Sequence, residues 1–297
     1  MRRWSLGCSL TALGSHRDVT QRGSYPGERM SGLTSDSFDR LPRRVERKAL
    51  VRLAARTDVG CVRANNQDHF HVDPDGAFMI VADGMGGHPG GDVASHLATE
   101  AAAAVLDEHR GLSLSEGRAV MRRAFLKAHR ALKREALFSP RLARMGTTLL
   151  CVARADSGEL IVAHVGDSRL YRQRGDALAQ LTRDHSLLNE LLQQQMVTPL
   201  KAHERRHLGH ILTRSVSPVA AHQPDVAKVR VEPGDRFLLA TDGLYGPLSP
   251  SRMSLALSGA ASVTTACELL MTGALDAGAP DNVTAIVFEV ADGAPVR

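Results

Sequence analysis

Aromatic residues make up only 4% of the 297-residue chain, so its core must be built mainly from Ala, Val and Leu. Cysteine is as scarce. Cys8, Cys61, Cys151 and Cys267 are too scattered for a zinc ribbon or a framework of short disulfide loops, and reduced thiols in a cytosolic protein are the simplest account of them. None has Arg six positions later, which excludes the Cys-x5-Arg phosphate cradle of cysteine-based phosphatases. No run approaches the roughly 18–20 apolar residues that a membrane-spanning helix needs. The opening Met1–Cys8 stretch is too short and too interrupted for an export leader. These absences predict a cytoplasmic protein with no membrane partner. An excess of one charge is also missing where it would matter. The formal net charge is +5, but residues 1–49 hold ten Lys/Arg and five Asp/Glu, which leaves 27 of each sign in the remainder. A neutral body offers little general attraction to a polyanion, so no nucleic-acid partner is expected.

What is present begins near residue 50. Residues 1–49, rich in Arg, Ser and Gly without an apolar period, read as a disordered basic extension. Strands are expected at 50–56, 77–82, 147–153, 160–165, 169–173, 226–231, 237–240 and 283–290. Helical spacing of Ala and Leu marks 91–109 and 116–138, and shorter helices fall near 250–259 and 262–276. Residues 185–215 are more polar and read as an inserted surface element. Strands, two helices, many strands, two helices and a last strand do not alternate as a parallel sheet requires. The order predicts an α+β protein of one domain, with two stacked sheets covered by helices.

Four aspartates stand where expected strands end in tight turns: Asp83 before Gly84, Asp167 after Gly166, Asp242 before Gly243, and Asp281 before Asn282. A strand holds its end rigidly, so a carboxylate there projects from a fixed base. Hard divalent cations take oxygen ligands, and Mg2+ or Mn2+ needs few protein carboxylates because it keeps several waters. Glycine after Asp83 lets the backbone turn sharply and bring a carbonyl toward such an ion. Two ions about 3.5–4 Å apart can activate a water, aim it at phosphorus and neutralise the developing charge. One Asp-Gly pair is an ordinary turn signal, and Asp75-Gly76 and Gly234-Asp235 read as plain turns. The ordered set is harder to reach by accident.

Eight ordered motifs carry a resemblance. They are Gly60–Asp68, Val81–Gly87, Met145–Thr148, His164–Arg169, Leu181–Ser186, Leu212–Arg214, Thr241–Leu244 and Asp281–Thr284. Over about residues 50–290 the chain resembles the metal-dependent protein phosphatases of the protein phosphatase 2C type, in their compact bacterial form. The resemblance implies a four-layer α-β-β-α sandwich with two central, mostly antiparallel sheets. It implies a catalytic domain at 50–293 with a flap at about 185–215, and hydrolysis of phosphoserine and phosphothreonine in proteins. Two core Mn2+ or Mg2+ ions are implied, with a third bound more weakly. Asp83 would bridge the core pair, the Gly84 carbonyl would ligate one ion, and Asp242 and Asp281 would complete the other site. Asp167 would serve the third ion. Arg63 would grip the phosphate, a task suited to a planar bidentate guanidinium, and Asp68 would orient water from behind the metal ligands. The implied partners are phosphoprotein substrates and a cognate serine/threonine kinase, and the implied state is a monomer.

The chain departs from the family in places. Gln67 stands where many members have Glu, and Met85 where eukaryotic members carry a His proposed as general acid. The 194–197 and 206–210 segments are atypical for a flap. These departures bear on substrate selection more than on chemistry. His203, His207 and His210 have the spacing of a zinc-binding helix face, but solvated surface histidines are the simpler reading. His88 follows the Asp83 motif and reads as a loop residue. Two rival functions share the fold: a partner-switching regulator and a silent phosphoprotein-binding module. The second would lack a metal aspartate or the arginine, and this chain has both.

Overall fold

The computed structural model describes residues 51–85, 90–198 and 203–290, with the backbone alone at 203–206. The extension expected at 1–49, residues 291–293, Gly86, Gly87, His88 and the His203 side chain lie outside the described residues.

Ten strands form two five-stranded sheets. One has the order β1 (Val51–Asp58), β10 (Val283–Val290), β9 (Arg236–Ala240), β6 (Arg169–Arg174), β7 (Ala177–Gln180). The other runs β2 (Asp68–Val72), β3 (Phe78–Asp83), β4 (Leu149–Arg154), β5 (Leu160–Val165), β8 (Asp225–Val229). Every pairing between these strands is antiparallel. Side chains alternate between the faces of a strand, and each central strand here is apolar on both. In β3, Met79 and Val81 enter the layer between the sheets, while Phe78, Ile80 and Ala82 join the layer under the helices. In β10, Ile286 and Phe288 point inward, and Ala285 and Val287 point outward. Phe237 and Phe288 stack in the middle at 4.9 Å between ring centroids, placing two of the few aromatics where a large side chain fills most volume.

Helices α1 (Gly91–Asp107) and α2 (Leu114–Phe138) cover the second sheet. Ser113 caps α2 through a 3.3 Å bond from Glu116 N and in turn donates to the Glu116 carboxylate, a reciprocal N-terminal cap. Ala94, Ala98 and Ala102, each one turn apart, form the buried seam of α1. Small residues there let helix and sheet approach closely, which is how a core poor in aromatics closes without voids. The first sheet is covered by α5 (Pro250–Gly259) and α6 (Val263–Asp276), after the single turn α4 (Asp242–Tyr245). Between β7 and β8 lie α3 (Leu187–Gln193), which has no buried residue, and a 3-10 helix at His203–His210. A bridge between Ser186 and Leu212 closes the base of this segment.

The four-layer sandwich agrees with the expectation. Two strands were not foreseen. In β2, His69 and His71 occupy the helix-facing positions where an apolar residue would have signalled a strand. β7 is a short, mostly exposed edge. Among the described residues no helix is long and apolar enough to cross a membrane.

Candidate active site

The aspartates are delivered by strand ends from both sheets. Asp83 closes β3 and lies directly across from Asp68, the first residue of β2. Asp167 occupies the β5–β6 turn, Asp242 opens α4 just after β9, and Asp281 precedes β10. Asp68 joins the two sheets. Its Oδ2 accepts from Thr241 Oγ1 at 2.8 Å and Thr284 Oγ1 at 2.6 Å, and both threonines belong to the β9–β10 side. These contacts set Asp68 and Asp83 against the strand ends that carry Asp242 and Asp281.

The neighbouring motif residues are the scaffold of this cage. Thr148 Oγ1 accepts from Asp83 N at 2.9 Å, and Thr147 Oγ1 donates to Asp83 O at 2.8 Å. Asn282 Nδ2 donates to Val59 O and Asn65 O, while its Oδ1 accepts from Gln67 N at 2.8 Å. One amide side chain thus ties the loop carrying Arg63 to the segment carrying Asp281. Gly60 in that loop has φ +76°, and a Cβ on it would stand 2.2 Å from Asp281 O. Only glycine fits there. A Cβ on Gly84 would be 2.2 Å from Gly91 O and 2.6 Å from Gln67 O, so packing requires glycine beside Asp83.

Behind Asp167, Arg169 binds Asp184 through Nε and Nη2 at 2.6–3.2 Å and lies over the Tyr245 ring at 3.7 Å. Tyr245 in turn donates to Asp167 O at 3.0 Å. The conspicuous Arg and Asp of the 166–169 and 181–186 motifs are thereby structural braces for the β5–β6 turn.

Electrostatics set this cluster apart. Burial pushes the Asp83 carboxyl well above the carboxylate range, and Asp68, Asp242, Asp167 and Asp281 add repulsion. Asp68 is pushed up to about 8 by burial; the Thr284 and Thr241 hydroxyls resist this, and Asp242 and Asp281 add to it. Asp167 rises to about 7, mainly by burial and then by Asp242. Among the described residues, Asp68 Oδ1 and Asp242 Oδ1 are buried without a hydrogen-bond partner. Arg63 contributes one guanidinium, with Nη2 donating to Asp281 Oδ2 at 2.7 Å. Converging carboxylates with unused lone pairs in a low-dielectric site are costly unless a cation completes them. The all-oxygen donor set is what a hard divalent ion requires, so the residues fit the metal centre that the sequence implied.

One residue near the cage was missed. His210 Nδ1 lies 3.9 Å from Asp242 Oδ2, and that carboxylate raises the imidazole pKa. The His203–His210 segment is a 3-10 helix, so its histidines do not form the α-helical face that their spacing suggested. Proximity to Asp242 had no signal in the sequence, because a surface insertion brings it about.

Aspartates from the strand ends of both sheets, with one guanidinium beside them, give this α-β-β-α sandwich an all-oxygen donor set. The chain belongs to the protein phosphatase 2C family, whose model matches residues 62–272. It is 35% identical over 245 residues to the serine/threonine protein phosphatase PstP of Mycobacterium tuberculosis, covering 82% of this chain and 46% of that protein. It thus spans about half the length of that relative. Protein phosphatase PhpP of Streptococcus pneumoniae is 37% identical over 242 residues, covering 79% of this chain and 95% of its own. Among solved structures, the catalytic domain of PstP in complex with two manganese ions matches with a TM-score of 0.67 at 34% identity, covering 82% and 99% of the two chains.

Proposed function

We propose that this protein hydrolyses phosphoserine and phosphothreonine in other proteins, opposing a serine/threonine kinase, with Mn2+ or Mg2+ held by Asp83, the Gly84 carbonyl, Asp242 and Asp281. The observation that carries this reading is the set of converging, mutually repelling carboxylates beside Arg63, two of which keep a buried oxygen with no hydrogen-bond partner among the described residues. When bound, the divalent ions supply an activated water and neutralise charge at phosphorus. Asp167 serves a third, weaker ion. Every other task falls to the chain itself.

Arg63 binds the phosphate. Its side chain is 42% exposed and points from a loop, so it reaches solvent and substrate without leaving Asp281. Its planar guanidinium suits the anionic oxygens of a phosphate monoester. Asp68 positions water by its free Oδ1 while Thr241 and Thr284 lock its other oxygen. Burial raises the Cys151 thiol and pushes Cys267 up to about 12, so neither of these two cysteines is a ready nucleophile. Residues 50–293 form the catalytic domain and 185–215 the flap, whose His210 stands at the metal side of the site. The protein acts as a cytoplasmic monomer.

The test is hydrolysis of a phosphothreonine peptide by the purified protein with added Mn2+. Asp83→Asn and Asp242→Asn should each abolish turnover and Mn2+ binding while leaving the protein folded. Ordinary activity in both variants would sink the assignment.

A further inference from the structure

A second group of metal-ligating side chains lies on the opposite face of β2 from Asp68. His69 and His71 alternate onto the side that α1 covers, opposite Ala82 and Ile80. Facing them on α1 are His96 and Glu100, one helical turn apart. His96 Nδ1 stands 3.3 Å from His69 Nε2, with the rings edge-on at 88°. One donor atom from each of His69, His96 and Glu100 falls within 4.8 Å of the others. His71, held by stacking on Phe78 at 5.5 Å, places Nδ1 3.9 Å from Glu100 Oε1.

The geometry points to a zinc site: we propose that His69, His96 and Glu100 bind one Zn2+ ion that clamps α1 to β2. Two nitrogens bound tetrahedrally to one zinc at about 2.0–2.1 Å are about 3.3–3.4 Å apart, which is the spacing of the two imidazoles. His96 and Glu100 are exposed and His69 is partly buried, so a fourth position opens to water. Burial and the neighbouring His96 lower the pKa of His69, which keeps its lone pair free at neutral pH. Imidazole donors favour zinc over magnesium, whereas the aspartate cage offers oxygen alone. The two sites therefore sort different ions. The clamp lies close to the catalytic backbone, because the first residue of α1, Gly91, packs against Gly84 and the Gln67 side chain.

The other cluster of this kind, His164, His185 and Asp225, is already spent. His185 Nδ1 accepts from Gly166 N at 3.1 Å, and its Nε2 faces both Asp225 and the Arg214 guanidinium, 3.4 Å away. A cation there would meet a fixed positive charge.

The experiment is calorimetric titration of zinc chloride into the full chain carrying Asp83→Asn and Asp242→Asn, in excess Mg2+, so that the aspartate cage does not contribute. One equivalent of zinc should bind and raise the thermal midpoint. Adding His96→Ala and Glu100→Ala, both on exposed positions, should abolish that equivalent and the thermal shift. In the otherwise wild-type chain, His96→Ala with Glu100→Ala should leave Mn2+-dependent peptide hydrolysis unchanged. Absence of zinc binding in the first protein, or an undiminished equivalent in the second, would overturn the proposal. The 3.3 Å contact would then be an imidazole–imidazole hydrogen bond. Because the readout is zinc binding in an inactive background, its failure is distinct from failure of the phosphatase reading.

Discussion

Aspartates at turns occur in two settings in this protein, and they are held in opposite ways. Asp73 is fully buried, yet it accepts from Asp75 N at 3.0 Å, from Ala77 N at 2.9 Å and from Arg110. Asp235 is as deep and accepts from Arg174 Nε and Nη2, both at 2.7 Å, and from Glu232 N at 2.9 Å. Both oxygens of each carboxylate have a donor, and a guanidinium sits alongside. In the cage the reverse holds: Asp83 is pressed by four other carboxylates, and oxygens of Asp68 and Asp242 are left bare. What separates the two settings here is not the Asp-Gly turn. It is unspent bonding capacity, accumulated at one point by strands from two sheets. Such capacity costs stability in the metal-free protein, a price recovered on binding cations.

The sharpest way to break the comparison is to remove one carboxylate from each setting. Asp83→Asn removes a charge that its neighbours oppose. It should abolish phosphatase turnover and yet raise the thermal midpoint of the metal-free protein. Asp235→Ala should do the opposite, leaving kcat near wild type while costing about 2 kcal/mol, because Arg174 loses a charge-assisted fork. Chemical denaturation of both variants in chelator, beside peptide-hydrolysis rates in Mn2+, checks both halves. Matching stability losses in the two variants would erase the distinction.

Asp68 tests the boundary between the settings, since one oxygen is braced by two threonines and the other is free. Asp68→Ala should lower kcat by about 10–100-fold, the usual cost of losing a partner that orients groups around a metal. Thr241→Val and Thr284→Val together should reproduce part of that loss with all metal ligands intact. Arg63→Ala should act on binding: KM for a phosphopeptide should rise about tenfold with a smaller change in kcat, since the guanidinium contacts the ester oxygens in ground and transition states alike. A fall in kcat with KM unchanged would show that Arg63 acts only in the transition state.

Much of this architecture was legible beforehand, for physical reasons that particular residues display. The runs at 160–165 and 283–290 are apolar on both faces and bounded by turn residues, and they are strands over those spans. Asp83, Asp167, Asp242 and Asp281 were identifiable because each sits at the end of such a run or in the turn beside it. β2 was not legible, because His69 and His71 replace apolar residues on its helix-facing side. The bracing role of Asn282 was hidden because it depends on carbonyls more than 200 residues away in sequence. His210 was hidden for the same reason, since the insertion that carries it folds back toward Asp242. Local pattern reports which face of an element is buried; convergence of distant loops has no local signature.

The smallest expected effect is also the most direct measure of unspent capacity. In the folded, metal-free protein Asp167 titrates at about 7 because burial and Asp242 oppose its charge, whereas an unfolded aspartate titrates near about 3.9. Between those values the folded state binds the extra proton, so stability falls as pH rises. The contribution of Asp167 is therefore greatest below pH 4 and is lost by about pH 7. Asp167→Asn removes this dependence. The difference in thermal midpoint between wild type and Asp167→Asn, measured in chelator, should move against wild type as pH rises from 4 to 7 and then level off. Adding Mn2+ should flatten the wild-type curve, because a bound cation replaces the proton. If the difference between wild type and Asp167→Asn stayed constant across that range in chelator, the Asp167 carboxylate would be as well satisfied as Asp235, and the contrast between the two settings would stop short of the third-ion position.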